Sequence, residues 1–409
     1  MSGIPMRLTL VLAAITSFVD AAPHRTRPDS CEKLTSVGKA VYFITNEKEN
    51  AVVALPIGPD GKLSNGTLTR TAGAGSINIS GATGQPGVPD ALVSQSSLTV
   101  VGNNIFAVNA GSNTLTMLAI NPADPTCLTV VGDPVSVPGE FPNTVTASTK
   151  NKLVCVATTG AVSGISCAPF SKRGLGQMDK LRPFDIGQST PPVGPTNTVS
   201  QTFFSEDGMR LYTTVKGDPM ANKTGFLSVF DVEKKGRQQA SVSTDEVRSS
   251  PNGTAVLFGS FPIPGDESSI FATDASFGAA ILSIDQTGQA TARRSQMIQG
   301  QAATCWSIVS RATNTAFVAD AGRPVLVEMS LEDATIIKEL DLSANGDSGL
   351  FDMTSAGNFL YALSPGNGST IPAITVLDVS GGAGSAKQAQ HFTLEGLATS
   401  SAQGMAALM

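Results

Sequence analysis

The chain has 409 residues, of which 41% are apolar and only 15% charged, and it contains 41 glycines. Few charged stretches favour helix, so the composition argues against a helical or disordered chain and suits an all-β protein with many turns. The net charge of −6, with no long Lys/Arg block, argues against a nucleic-acid partner; the pairs Lys234-Lys235 and Arg293-Arg294 read as solvated turn charges.

Met6-Arg7 is followed by the apolar run Leu8 to Val19 and by small residues at Val19-Asp20-Ala21. This is the pattern of a signal peptide over residues 1–21. A short segment at 22–37 and a single domain at 38–409 are expected to follow. The apolar run is too short to cross a bilayer as a helix, so the expectation is a soluble exported protein, secreted or cell wall-associated, with no membrane insertion. Asn-x-Ser/Thr sequons at Asn65, Asn78, Asn222, Asn252 and Asn367 agree with export. The cysteines are Cys31, Cys127, Cys155, Cys167 and Cys305, an odd number. Cys155 and Cys167 lie symmetrically about a turn near Ala161, which places them opposite each other on neighbouring strands and predicts a disulfide.

A strand–turn–strand unit recurs along the chain. Copies begin at Ala40 (AVYFITNEKENAVVALPI), Asn104 (NIFAVNAGSNTLTMLAI), Leu153 (LVCVATTGAVSGISCAPF), Leu211, Ile270 (IFATDASFGAAILSID), Ala316 (AFVADAGRPVLVEMSL) and Leu360. Most copies follow a further short strand and a tight turn, such as Glu206-Asp207-Gly208 or Pro251-Asn252-Gly253. A fourth strand can follow, for example from Lys180. Seven such units predict a seven-bladed β-propeller of four-stranded antiparallel blades. The first blade lacks its leading strand, and Ala402–Met409 (AQGMAALM) can supply it and close the ring.

The turn Ser205-Glu206-Asp207-Gly208-Met209-Arg210-Leu211-Tyr212 and the segment Val108-Asn109-Ala110-Gly111-Ser112-Asn113-Thr114 resemble those of the fungal carboxymuconate cyclase-like proteins. These belong to the seven-bladed lactonase superfamily that includes 6-phosphogluconolactonase. The resemblance covers nearly the whole chain after the leader. It implies a cofactor-independent cycloisomerase or a lactonase acting on a small carboxylated substrate. Such cyclases are expected to use a pocket His with Arg and Glu, because imidazole titrates near neutrality. This chain departs from that pattern: His24 follows the leader, and His391 falls on an outer strand of the last blade. The alternative is a non-catalytic secreted or cell-surface glycoprotein that contacts extracellular protein or glycan. A monomer is expected.

The rim where second strands end and inner strands begin is the expected ligand face. The repeats place Asp90, Asn143, Asn197, Asp245, Arg248 and Gln403 before or at inner strands, and Asn46, Asn109, Lys216, Asp274, Asp320 and Arg323 at second-strand ends. Three readings follow. Arg248, Arg323 and Lys216 bind substrate carboxylates, with Asp245 or Asp90 as proton acceptor. Asp90, Asn143, Asn197 and Asp245 gather a hard cation such as Ca²⁺. Or these side chains only cap turns. Asp245 and Arg248 are the catalytic pair of the enzyme reading, with Asp90, Asn109, Asn143, Asn197, Lys216 and Arg323 around the substrate. No phosphate loop, serine elbow or His-Glu-x-x-His is present. Trp306 is expected to pack in the core of blade 6 or to wall a pocket.

Overall fold

The structure is a computed structural model that describes Met1, Gly3 and residues 37–234 and 239–409. The expected leader, His24 and Cys31 lie outside the described residues.

Seven antiparallel sheets form a seven-bladed β-propeller. Each is read here from its innermost strand outward. Blade 2 runs Leu98–Val101, Asn104–Asn109, Thr114–Asn121 and Asp124–Val130. Blade 4 runs Val199–Phe204, Arg210–Val215, Phe226–Glu233 and Ser241–Ser249. Blade 5 runs Leu257–Ile263, Asp266–Asp274, Gly278–Ile284 and Ala290–Met297. Blades 6 and 7 begin with Thr304–Ser310 and Met353–Ala356 and end with Ile336–Asp341 and Lys387–Thr393. In blade 3, after Pro142–Ser148, Leu153–Thr158 and Gly164–Ser171, the fourth strand is split into the short pieces Gly174–Leu175 and Arg182–Pro183. Cys155 pairs directly with Cys167 across the second and third strands of this blade, and the two form a disulfide.

Blade 1 is assembled from both chain ends. Gln403–Leu408 is its innermost strand, beside Ala40–Ile44, Ala51–Pro56 and Thr67–Arg70. Middle strands are apolar on both faces because each face packs on a neighbouring blade: all five residues of Ala40–Ile44 are buried. Outer strands alternate, as in Ile336–Asp341, because one face meets water. The core therefore lies between blades. One cluster joins Phe43, Val53, Tyr361 and Ile374 across blades 7 and 1, and another joins Phe258, Trp306, Phe317 and Leu360 across blades 5, 6 and 7. Polar side chains tie neighbouring blades through backbone groups. Tyr42 donates to the Pro125 carbonyl at 2.7 Å and Tyr361 to that of Gly61 at 2.8 Å. The Gln390 amide bonds both the N–H and the C=O of Leu63.

One expected placement shifts. Asp245 and Arg248, expected at the inner strand of blade 5, lie on Ser241–Ser249, the outermost strand of blade 4, with Arg248 opposite Ser228 and Glu246 opposite Phe230. The turn at Pro251-Asn252-Gly253 is the crossover between the two blades, and blade 5 begins at Leu257.

Candidate functional site

The segment after blade 1 crosses the rim and turns into the axis. From Ala91 to Ser97 it runs among the inner strands, buried except for Ser96, and fills the channel. Its backbone and side chains bond to strands on several sides. Leu92 N–H donates to Gln403 Oε1 of blade 1 at 2.6 Å, and Ser94 Oγ donates to the Asn143 carbonyl of blade 3 at 2.7 Å. Gln95 N–H donates to the Ser200 carbonyl of blade 4 at 2.9 Å. The Gln95 side chain donates to the Ser307 carbonyl at 2.6 Å and accepts from Ser307 N–H at 3.1 Å, acting as a strand partner for blade 6. Trp306 Nε1 donates to the Ser94 carbonyl at 3.1 Å, and its ring packs between Phe258 and Phe351. Gly259 has no side chain because a Cβ there would stand 2.3 Å from Gln95 Oε1. The path is strained: Val93 has φ +50° and Ser96 φ +63°, the former unusual for a β-branched residue.

Four of the expected residues, Asp90, Asn143, Lys216 and Gln403, converge on this segment. Asp90 is half-buried and accepts from Gln403 Nε2 at 2.9 Å. Burial pushes its carboxyl up to about 6, against the opposing pull of Lys216, Gln403 and the Val93 N–H. Lys216 is buried, donates to the Val93 carbonyl and lies over the Phe258 ring at 4.3 Å. Burial brings its ammonium down to about 8, partly offset by Asp90. Asn143 donates to the carbonyls of Leu92 at 3.3 Å and Val199 at 2.8 Å. The buried Cys305 lies in the same field, and burial pushes its thiol well up.

Asp352 belongs to this group and was missed. It is 1% exposed at φ +84°, accepts from Met353 and Gly404 N–H at 2.9 Å each, and burial raises its carboxyl to about 7. Its position immediately before the inner strand Met353–Ala356 of blade 7 is the signal that could have found it.

The other expected residues are elsewhere or already committed. Asp245 and Arg248 are on the outer strand of blade 4, so they do not face the axis; Arg248 pairs with Glu246 at 2.9 Å and covers the Phe226 ring at 4.0 Å. Asn109 is wholly buried, bonded to Asn50, Thr71, Thr114 and Thr116. Asn46 bonds the Ser76 backbone, and Asn197, at φ +54°, donates to the Ile186 carbonyl at 3.1 Å. Asp274 and Asp320 cap the backbone N–H groups that lead into the inner strands of their own blades, 5 and 6. Arg323 donates to the Gly300 carbonyl. His391 lies on the outer strand of blade 7, paired with Asp347 at 3.1 Å. Asp90, Asn143, Asn197 and Asp245 are therefore not gathered as a cation site, and no group of three or more His, Cys, Asp or Glu among the described residues could hold a metal. Asn78 is 2% exposed, and its Nδ2 donates to the carbonyls of Gly87, Asp90 and Ala91, which leaves no room for a glycan.

Above the axis, Ile79–Ser80 pairs in parallel with Val193–Gly194. Clefts flank this ribbon: one of about 560 Å³, lined by Asn46, Lys48, Asn78, Gln85 and Pro191, and one of about 690 Å³, lined by Gly81, Gln188, Val193, Asp218 and Met220.

No family model matches the sequence, and no curated protein matches it. Solved structures do. The periplasmic gluconolactonase PpgL of Pseudomonas aeruginosa superposes with a TM-score of 0.62 at 12% identity, over 90% of this chain and 99% of that one. A candidate 6-phosphogluconolactonase of Bacteroides uniformis gives 0.57 at 15% identity, and a protein of unknown function from Desulfotomaculum acetoxidans gives 0.57 at 12%, each with the same coverage. At these identities the likeness is one of fold: the chain is a seven-bladed β-propeller, the fold of these structures.

Proposed function

We propose that the chain is an exported, non-catalytic binding propeller that uses its loop-built rim to contact extracellular protein or glycan. The observation that carries this is the filled axis. A catalytic group must reach the atom it acts on. Here Lys216 donates to the Val93 carbonyl and Asn143 to the carbonyls of Leu92 and Val199, while Gln403 accepts from Leu92 N–H and donates to Asp90, so these groups are already committed within the protein. The buried Cys155–Cys167 disulfide supports an oxidising compartment.

A second reading keeps an enzyme. Asp90 is half-buried beside a buried lysine, with its carboxyl raised towards the range useful for proton transfer. That pair suits a cofactor-independent lactonase or a carboxymuconate cyclase-like isomerase acting on a carboxylated substrate.

The test is to incubate the purified protein with 3-carboxymuconate, following loss of diene absorbance, and with sugar lactones, following acid release. The expected result is no turnover above buffer. Turnover that disappears in Asp90→Asn would overturn the binding reading and establish the enzyme.

A further inference from the structure

On the rim of blade 4 a short closed loop carries an accessible sequon beside a bare apolar side chain. Asp218 and Lys223 pair through their backbones at 2.8 and 2.9 Å, and the Asp218 carboxylate caps the N–H groups of Met220 and Ala221. Asn222 ends the single turn between them at φ +54° and is exposed. The loop is thus held at both ends and presents its tip in a fixed direction. Met220, in that tip, is 96% exposed, the most exposed large apolar side chain of the propeller. It borders the cleft of about 690 Å³, whose wall includes Val193, itself 43% exposed. Met220 and Val193 thus offer apolar surface within two residues of the Asn222 sequon and on the wall of one cleft.

The sequons separate by what their amide nitrogens do. Asn78 uses Nδ2 for three internal bonds. Asn65, Asn222, Asn252 and Asn367 are exposed. Asn367 fixes its Oδ1 on Ser369 and Thr370, which leaves Nδ2 outward. Asn222 stands two residues from the exposed Met220 and beside the cleft that Met220 borders.

We propose that Asn222 carries an N-linked glycan whose first sugars fold back across Met220 and Val193 into the adjoining cleft. The C–H face of an N-acetylglucosamine covers the thioether and the valine, while its hydroxyls and N-acetyl group stay in water at the cleft mouth. Covalent attachment two residues away supplies the sugar at high effective concentration, so weak contacts suffice. The cover then defines the rim: a partner of blade 4 meets sugar rather than methionine. This inference rests on the export reading above.

The experiment uses the full-length protein secreted from a eukaryotic host, with peptide mass spectrometry of every sequon and of methionine oxidation under dilute hydrogen peroxide. Thr224→Ala removes the sequon while keeping the Asn222 turn. Native protein stripped by a peptide N-glycosidase, which removes the whole glycan and leaves an aspartate in place of Asn222, gives the same comparison without disturbing Thr224. Met209 and Met297, 43% and 56% exposed and away from this loop, are internal controls. Met220 should oxidise several-fold faster in both deglycosylated forms, with the controls unchanged. Equal Met220 rates, or a bare Asn222 alongside glycans at Asn65, Asn252 or Asn367, would overturn the proposal and leave export standing. Absence of glycan at every sequon of the secreted protein would overturn the proposal alone, whereas failure of the full-length chain to be secreted would overturn the export reading.

Discussion

Gln95 is a side chain doing the work of a strand. It satisfies the N–H and the C=O of Ser307, and both bonds are buried. Gln95→Ala leaves two buried backbone groups unpaired, so a loss of roughly 2–4 kcal/mol is expected in chemical denaturation; an unchanged midpoint would mean that water replaces the amide. Asp352 makes a prediction about pH. Its folded carboxyl is raised to about 7, above the ordinary value of 3.8, because of burial. The folded state therefore holds this proton more tightly than the unfolded chain. Its contribution is fully present below the unfolded pKa and is lost as pH rises towards 7. Asp90, raised to about 6, acts in the same direction. Asp352→Asn cannot ionise, so its cost in thermal melts should be smaller at pH 8 than at pH 5; equal costs would show that Asp352 keeps an ordinary titration. Asn109 shows what sequence can resolve at this scale. The repeat placed it correctly at the end of a second strand. It is nevertheless buried among Asn50, Thr71 and Thr116 rather than facing a ligand. A polar residue at a strand end reads the same whether its partner is a solute or the neighbouring blade, because the partner comes from residues far away in sequence.

At the scale of the strand, the hairpin period was legible because apolar runs and Gly/Asn turns are local. The pairing of Cys155 with Cys167 followed from symmetry about a turn and is formed. Replacing both cysteines with Ala releases a loop closed across a separation of 12 residues. A loss of about 2–3 kcal/mol is expected from loop entropy, read as a lower denaturant midpoint under non-reducing conditions. The wild type under reductant should approach the same midpoint, and a double variant as stable as the wild type would make the bridge ornamental. Blade 5 shows where local signals mislead. Pro251-Asn252-Gly253 has the chemistry of a hairpin turn, but it links two blades, and the hairpin turn of blade 5 lies at Pro264-Gly265. Turn residues mark a reversal without saying which strands it joins. That one-strand slip sent Asp245 and Arg248 to the axis on paper, whereas in the molecule they lie on an outer edge.

Over the whole molecule, ring closure and the filled axis depend on the same strand. Gln403–Leu408 covers the inner edge of Ala40–Ile44, pairing Leu408 with Ala40 and Gln403 with Ile44. It also supplies the Gln403 amide that binds Leu92 and Asp90, and the Gly404 N–H that Asp352 accepts. Truncation before Ala402 therefore does two things at once. It bares an edge strand whose residues are all buried in the intact ring, and it removes partners from the axial segment. Gln403→Ala separates the two effects. It keeps the strand and its ladder but leaves the Leu92 N–H without its acceptor, a loss of roughly 1–3 kcal/mol with a single cooperative transition. The truncated chain should instead fail to give a monomeric, cooperatively melting species, and size-exclusion with light scattering should show aggregates or exchanged dimers. A truncated monomer with a wild-type melt would mean that blades 1 and 7 hold together by their shared core alone. A truncated chain no worse than Gln403→Ala would place the closing contribution in that one amide. The ordering expected here, with the strand deletion far more damaging than the side-chain deletion, follows from geometry: the contacts between blades can each give a little, but a ring with one open edge has an uncovered β-strand that another chain can pair with.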